Sequence, residues 1–235
     1  MDPEPRRLGL DELKTLIDSK DFEQLKGCRE NEFFEAKPKH PYVLEEKRGI
    51  LELSCDITEF ANKNEGYIFF GLKTDKHTTL PHDIVTEINC FEETEFYNKD
   101  QITGVLKERV FPKIEGLEVL WIPSDSIPNK GIGIIHIPEQ DKNNRHFIVS
   151  FLESEGESVK GVYYGVPIRK DDTRIWLKGQ EIHSLSKKAP TDLQSVYNDL
   201  SSQIGELRNI VVSANNSVPR ETSLERIKKV MYELQ

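Results

Sequence analysis

The sequence has no apolar run near the roughly 20 residues that a bilayer span needs. Its longest apolar stretch, Tyr67 to Leu72, is interrupted by Gly71 and suits a buried strand. The opening Met1-Asp2-Pro3-Glu4-Pro5 lacks the apolar centre of a secretory leader. Cysteine is scarce: Cys28, Cys55 and Cys90 make neither an even disulfide set nor a CxxC pair. A reduced, cytoplasmic chain is therefore expected. Excess positive charge is also missing, with 32 Lys+Arg against 41 Asp+Glu and a net charge of -9. That excludes indiscriminate coating of nucleic acid. It leaves room for a local basic groove, or for a site that reaches nucleic acid through metal ions. Common catalytic signatures are absent as well. The six histidines fall in no HExxH, Gly131-Ile132-Gly133 has no dinucleotide or P-loop continuation, and no GxSxG occurs.

What is present is an ordinary globular composition, 36% apolar and 31% charged, in 235 residues. This allows one domain of about 100–200 residues plus accessory elements. Leu10, Leu13, Leu16, Ile17, Phe22 and Leu25 predict a helix over Leu10 to Gly27. A strand is predicted over Glu32 to Lys37, stopped at Pro38. Ile50, Leu53, Ile57 and Phe60 predict a helix over Val43 to Lys63, and Tyr67 to Leu72 reads as the buried strand. His77 to Tyr97 reads as irregular and acidic, and a short helix ends at Pro112. Leu117 to Ile122, Ile132 to Ile137 and Phe147 to Leu152 read as strands. A late pair, Val162 to Val166 with Arg174 to Leu177, is expected around the turn Lys170 to Thr173, then a helix over Gln180 to Lys187. Helices and strands mix without strict alternation, so the fold class is α+β with a mixed sheet. From Thr191 on, Leu193, Val196, Leu200, Ile204, Leu207 and Val211 form an apolar stripe. It suits a long helix packing on a second copy or on its own domain. A capping box at Thr222 to Glu225 opens a last helix.

On a strand, alternate side chains share a face, so Glu35 and Lys37 point the same way. A carboxylate and a lysine so placed match the pattern of metal-dependent nucleases: the acid holds a hard cation, the lysine orients water or offsets phosphate charge. The alternative is a surface ion pair. Glu30, just before the strand, can curl back to the same ion. Asp75, beyond the buried strand, is a third acid if the two strands are neighbours, and an ordinary turn residue otherwise. Late in the chain Arg169, Lys170, Arg174 and Lys178 interleave with Tyr163, Tyr164 and Trp176. Cations with aromatics suit phosphates and bases, or a solvated hairpin over a buried Trp176.

Four blocks, in order, resemble the Schlafen-type, divergent Alba-like domain. They are Glu30 to Lys37; Phe60-Ala61-Asn62 through Gly71-Leu72; Ile132 to Pro138; and Val162 through Arg169 to Glu181-Ile182. Together they span about Cys28 to Lys187. Glu65 stands where the family usually has glycine, Lys73-Thr74 where acids are common, and Ala36 where Phe is usual. The resemblance implies a Schlafen/Alba-like mixed sheet with flanking helices over 29–188, after an N-terminal helical segment, 1–28, and before a C-terminal helical tail, 189–235. It implies an endoribonuclease dependent on Mg²⁺ or Mn²⁺, with Glu30, Glu35 and Asp75 on the metal and Lys37 beside them. Arg169, Lys170, Arg174 and Lys178 would hold the backbone of structured RNA, tRNA foremost. A role in antiviral defence is implied with it. The alternatives are a non-catalytic nucleic-acid-binding or regulatory module that dimerises through its tail, and an assembly subunit.

Overall fold

The computed structural model describes residues 4–77, 82–125, 127–141, 146–155, 158–186 and 201–202. It divides into two compact units, Met1–Lys178 and Gly179–Gln235. The first opens with β1 (Arg6–Arg7), α1 (Leu10–Ser19) and a 3-10 turn (Phe22–Leu25). β2 (Cys28–Arg29), β3 (Phe34–Lys37), α2 (Lys47–Ala61), β4 (Gly66–Phe70), β5 (Leu72–Lys76) and β6 (Asp83–Ile88) follow. Then come α3 (Lys99–Arg109), β7 (Val110–Phe111), β8 (Glu118–Pro123) and β9 (Gly131–Ile137). β10 (Ile148–Glu155), β11 (Ser158–Gly165), β12 (Pro167–Lys170) and β13 (Thr173–Trp176) complete this unit. In the second unit, α4 spans Gly179–Ser186. The architecture is α+β with mixed sheets. The tail stripe and the capping box lie outside the described residues, apart from 201–202, which are helical.

The central sheet runs β3-β4-β9-β8, with β3 parallel to β4 and the other pairs antiparallel. Strand alternation sorts its side chains into two cores. Phe34, Ala36, Tyr67, Phe69, Ile132 and Ile134 face one, against Leu13 and Leu16 of α1. Ile68, Phe70, Ile135 and Ile137 face the other, with Leu53, Ile57 and Phe60 of α2. Glu35 and Lys37, alternating with Phe34 and Ala36, therefore sit on the α2 side.

Four local features differ from the sequence reading, each for a visible reason. The first helix stops at Ser19 because Lys20 turns left-handed (φ 55°), and Phe22 to Leu25 continue as a 3-10 turn. α2 starts at Lys47, because the Val43 backbone folds over Gly49 where any Cβ would collide with it. The run Tyr67 to Leu72 is two strands. Gly71 at φ +92° breaks it, and β5 leaves for a second sheet ordered β1-β2-β6-β5. That sheet uses β6, inside the segment read as irregular. Val162 to Gly165, in β11, pairs with β10 rather than with Arg174; only Val166 keeps the expected link, accepting from the Leu177 N–H at 3.0 Å, and β13 takes β12 as its partner.

The β12–β13 turn is anchored from below. Arg29 donates to Asp171 at 3.0 Å and lies 2.8 Å from Nε2 of His82, whose Nδ1 is 2.6 Å from Asp172. An arginine can only donate, so Nε2 accepts and Nδ1 carries the proton. This clasp fixes where Arg169 and Arg174 point.

Candidate functional site

The entry to β3 is a tight turn held by Asn31. Its amide donates to the Leu8 carbonyl at 2.8 Å and its oxygen accepts from the Phe33 N–H at 2.7 Å. The turn brings Glu30 back over the strand, where its carboxylate accepts from the Ala36 N–H at 2.9 Å. Glu35 and Lys37 then project toward α2, which presents Asp56 and Glu59 on one face. The antiparallel β12–β13 pair closes over them, with Arg169 and Arg174 at directly opposed positions.

Three buried carboxylates meet there: one oxygen each from Glu35, Asp56 and Glu59 lies within 4.8 Å of the others. Arg169 donates to Glu35 at 2.6 Å and to Glu59 at 2.5 Å, and also to the Asn31 carbonyl at 2.7 Å. Its guanidinium lies 4.6 Å over the Phe60 ring. Arg174 donates to Glu59 at 2.9 Å, to Asp56, and to Glu52 at 3.3 Å. Lys37 pairs with Glu35 and, at 2.8 Å, with Asp56, which also accepts from the Tyr42 hydroxyl. Every one of the six carboxylate oxygens thus has a cation or hydroxyl upon it. Three positive groups face the three acids.

Burial and mutual repulsion spread the acids' proton affinities apart. Burial opposes ionisation of Glu35, but Arg169 and Lys37 outweigh it and hold this carboxyl below its usual value. Burial, then Glu35, pushes Glu59 up to about 8. The same two causes push Glu30 up to about 7, against the pull of the Ala36 N–H, Arg169 and Lys37. Glu35 and Glu59 share one arginine nitrogen and titrate as a pair. Tyr42, buried beside Glu35, has its phenol raised well above normal.

The structure brings together Glu30, Glu35 and Lys37 of the expected residues. Asp75 lies elsewhere: its side chain is 57% exposed on β5, accepts from the Thr86 hydroxyl at 2.8 Å and has Lys73 at 3.8 Å. Of the four expected backbone-binding cations, Arg169 is 2% exposed and turned wholly inward. Arg174 is half-buried on the same acids, and Lys170 is exposed. Lys178, the last residue of the first unit, also has an interaction of its own. Asp56 and Glu59 were not singled out from sequence, although Glu52, Asp56 and Glu59 at four- and three-residue spacing mark one helix face. Nor was Asn62. At the end of α2 its amide donates to the Phe147 and Pro167 carbonyls (2.9 and 2.8 Å), and its oxygen accepts from the His146 and Phe147 N–H groups (3.0 and 2.6 Å).

Mg²⁺ and Mn²⁺ favour oxygen ligands, and Glu35, Asp56 and Glu59 supply the right donors. Their oxygens, however, are already taken. A dication fits only after Lys37 and Arg174, each 23% exposed, have left; Arg169 is locked beneath them. As arranged, the centre is a closed ion network rather than a vacant cage.

Kinship rests on a family match. The family model described as Schlafen, AlbA_2 matches residues 30–174. Among solved structures, the chain is similar to the N-terminal domain of a RecG-related protein, described as an ATP-dependent DNA helicase, from Nitrosomonas europaea. That match has 15% identity and a TM-score of 0.33, and covers 70% of this chain and 94% of the other. No curated protein matches the sequence. The family match takes in β3, α2 and both arginine-bearing strands. The chain therefore belongs to the Schlafen AlbA_2 family, a family of nucleic-acid-binding domains.

Proposed function

We propose that this chain is a nucleic-acid-recognition domain that binds RNA without cutting it and acts as a regulatory module. The observation that carries this reading is the closure of the Glu35 centre. Its acids are neutralised by Lys37, Arg169 and Arg174 of the same chain, so they serve to lock β3, α2 and the β12–β13 pair together. Self-association through the 191–211 stripe and a cytoplasmic location belong to the same proposal. The test mixes full-length protein with end-labelled tRNA, single-stranded RNA and single-stranded DNA, in Mg²⁺, Mn²⁺ or EDTA. Salt-dependent binding that EDTA leaves unchanged, with the RNA intact, is the expected result. Discrete cuts that vanish with EDTA and in a folded Glu35→Ala protein would overturn it.

A second reading, an endoribonuclease acting on tRNA in antiviral defence, has one observation in its favour. Glu35 and Lys37 converge with two further carboxylates, and Glu30, held near 7, has a proton affinity suited to acid–base work at neutral pH. It requires Lys37 and Arg174 to release their acids to a metal.

A further inference from the structure

If Arg169 and Arg174 are spent on internal acids, the phosphates of a nucleic acid must meet other cations. The first turns of α2, the end of α3 and the start of β10 enclose a pocket of about 140 Å³. Lys47, Arg48, Ile50 and Leu51 line it from α2, Arg109 from α3, and Ser150 and Phe151 from β10. Among the described residues Arg48 and Arg109 form no ion pair, and the Nε of Arg109 is buried with no acceptor. A buried N–H without a partner is unfavourable, which leaves Arg109 a cation not yet spent on any acid, on the wall of the pocket. The N-cap of α2 is Glu46, so the positive charge at the pocket rests on the arginine side chains rather than on the helix start.

An aromatic face adjoins these cations. Phe151 on β10 and Tyr163 on β11 stand directly opposite in the ladder, stacked with centroids 5.2 Å apart and planes 16° apart. Tyr163 is 44% exposed. The pocket is below the volume of about 300–1,000 Å³ that encloses a whole small ligand. It has room for a phosphate group, and a base attached to that phosphate must lie outside, against the rings.

We infer that this pocket binds one nucleotide of single-stranded nucleic acid, with the phosphate between Arg48 and Arg109 and the base stacked on the Phe151–Tyr163 pair. The inference rests on the nucleic-acid-binding reading and does not depend on cleavage. A base must be unpaired to offer its face, which separates single strands from duplex. RNA and DNA share the chemistry used here.

The test is fluorescence anisotropy of the full chain with oligouridine RNA, oligothymidine DNA and a duplex, over a series of KCl concentrations. Replacing both arginines (Arg48→Gln with Arg109→Gln) should weaken single-strand binding about tenfold or more. It should also flatten the salt slope by about 0.7, for the one phosphate held between them. Arg48→Lys with Arg109→Lys should restore the slope, and Tyr163→Leu should lower affinity about tenfold with the slope unchanged. Whichever strand loses affinity is the one the pocket takes. Unaltered affinity and slope in the glutamine variant, with wild-type binding intact, would sink the pocket and leave the binding reading standing. Equal losses on duplex and single strand would overturn the stacked-base geometry. A wild-type chain that binds no strand would remove both.

Discussion

Glu30 offers a direct measurement of how the candidate site taxes the fold. Its carboxyl rises from 4.5 to about 7, first through burial and then through Glu35. The unfolded chain releases this proton near 4.5, whereas the folded chain keeps it until about 7. Between those values the folded state binds more protons, so raising the pH destabilises it. At 1.36 kcal/mol per unit the shift amounts to about 3 kcal/mol, absent at pH 4 and fully expressed above pH 8. Glu30→Gln abolishes the titration while keeping an oxygen that can accept from the Ala36 N–H. The variant should be close to wild type in urea unfolding at pH 4 and more stable by about 2–3 kcal/mol at pH 8. Glu59 titrates in the same window in both proteins, so the informative quantity is the difference between them. A gap that does not widen from pH 4 to pH 8, or a variant less stable at pH 8, would refute this account of Glu30.

Other perturbations probe the same construction. Arg169→Met strands Glu35 and Glu59 without their shared cation and should cost about 3–5 kcal/mol in urea unfolding. Arg169→Lys should recover little, since one ammonium cannot reproduce the fork to Asn31, Glu35 and Glu59. Asn62→Ala leaves two carbonyls and two amides of the β10 and β12 approaches unpartnered, for a loss of about 2–4 kcal/mol by the same assay. Asp75→Ala should change stability by less than about 0.5 kcal/mol, because its partners are exposed. If Asp75→Ala abolishes an EDTA-sensitive cleavage, the endoribonuclease reading gains and the closed network loses.

Strand parity was legible in the sequence. Phe34 and Ala36 alternate with Glu35 and Lys37, and that alternation alone assigns the two acid-site residues to one face. The apolar run from Tyr67 was legible as buried, but its break was not weighed. A glycine in a run reads as a pause, whereas here its left-handed backbone sends β5, and Asp75 with it, into the second sheet. The chemistry of Arg169 was hidden for a different reason. A cation among Tyr and Lys residues looks like surface, and only the pairing of β12 with β13, set by distant anchors at Arg29 and His82, turns it inward. Asp56 and Glu59 were legible by helical spacing, but nothing local marks an acid on an amphipathic helix as the buried one. Sequence periodicity reports which residues share a face; it does not report what lies opposite.

The ion network also has an order in time. Arg169 lies 134 residues after Glu35 and 110 after Glu59, and Arg174 lies 118 after Asp56. During synthesis β3 and α2 emerge first, bringing Glu35, Asp56 and Glu59 with Lys37 alone of their three cations. The two arginines arrive only after every strand of the other three sheets has been synthesised. Until then the acids cannot be buried at neutral pH without protonation, so the seat between β3 and α2 stays wet and open. The β12–β13 pair is thus the closing stitch of the first unit. A ribosome stalled before residue 167, or a protease cut there, would leave a half-built core, exposed to chaperones and proteases through the apolar surface that the missing pair would cover.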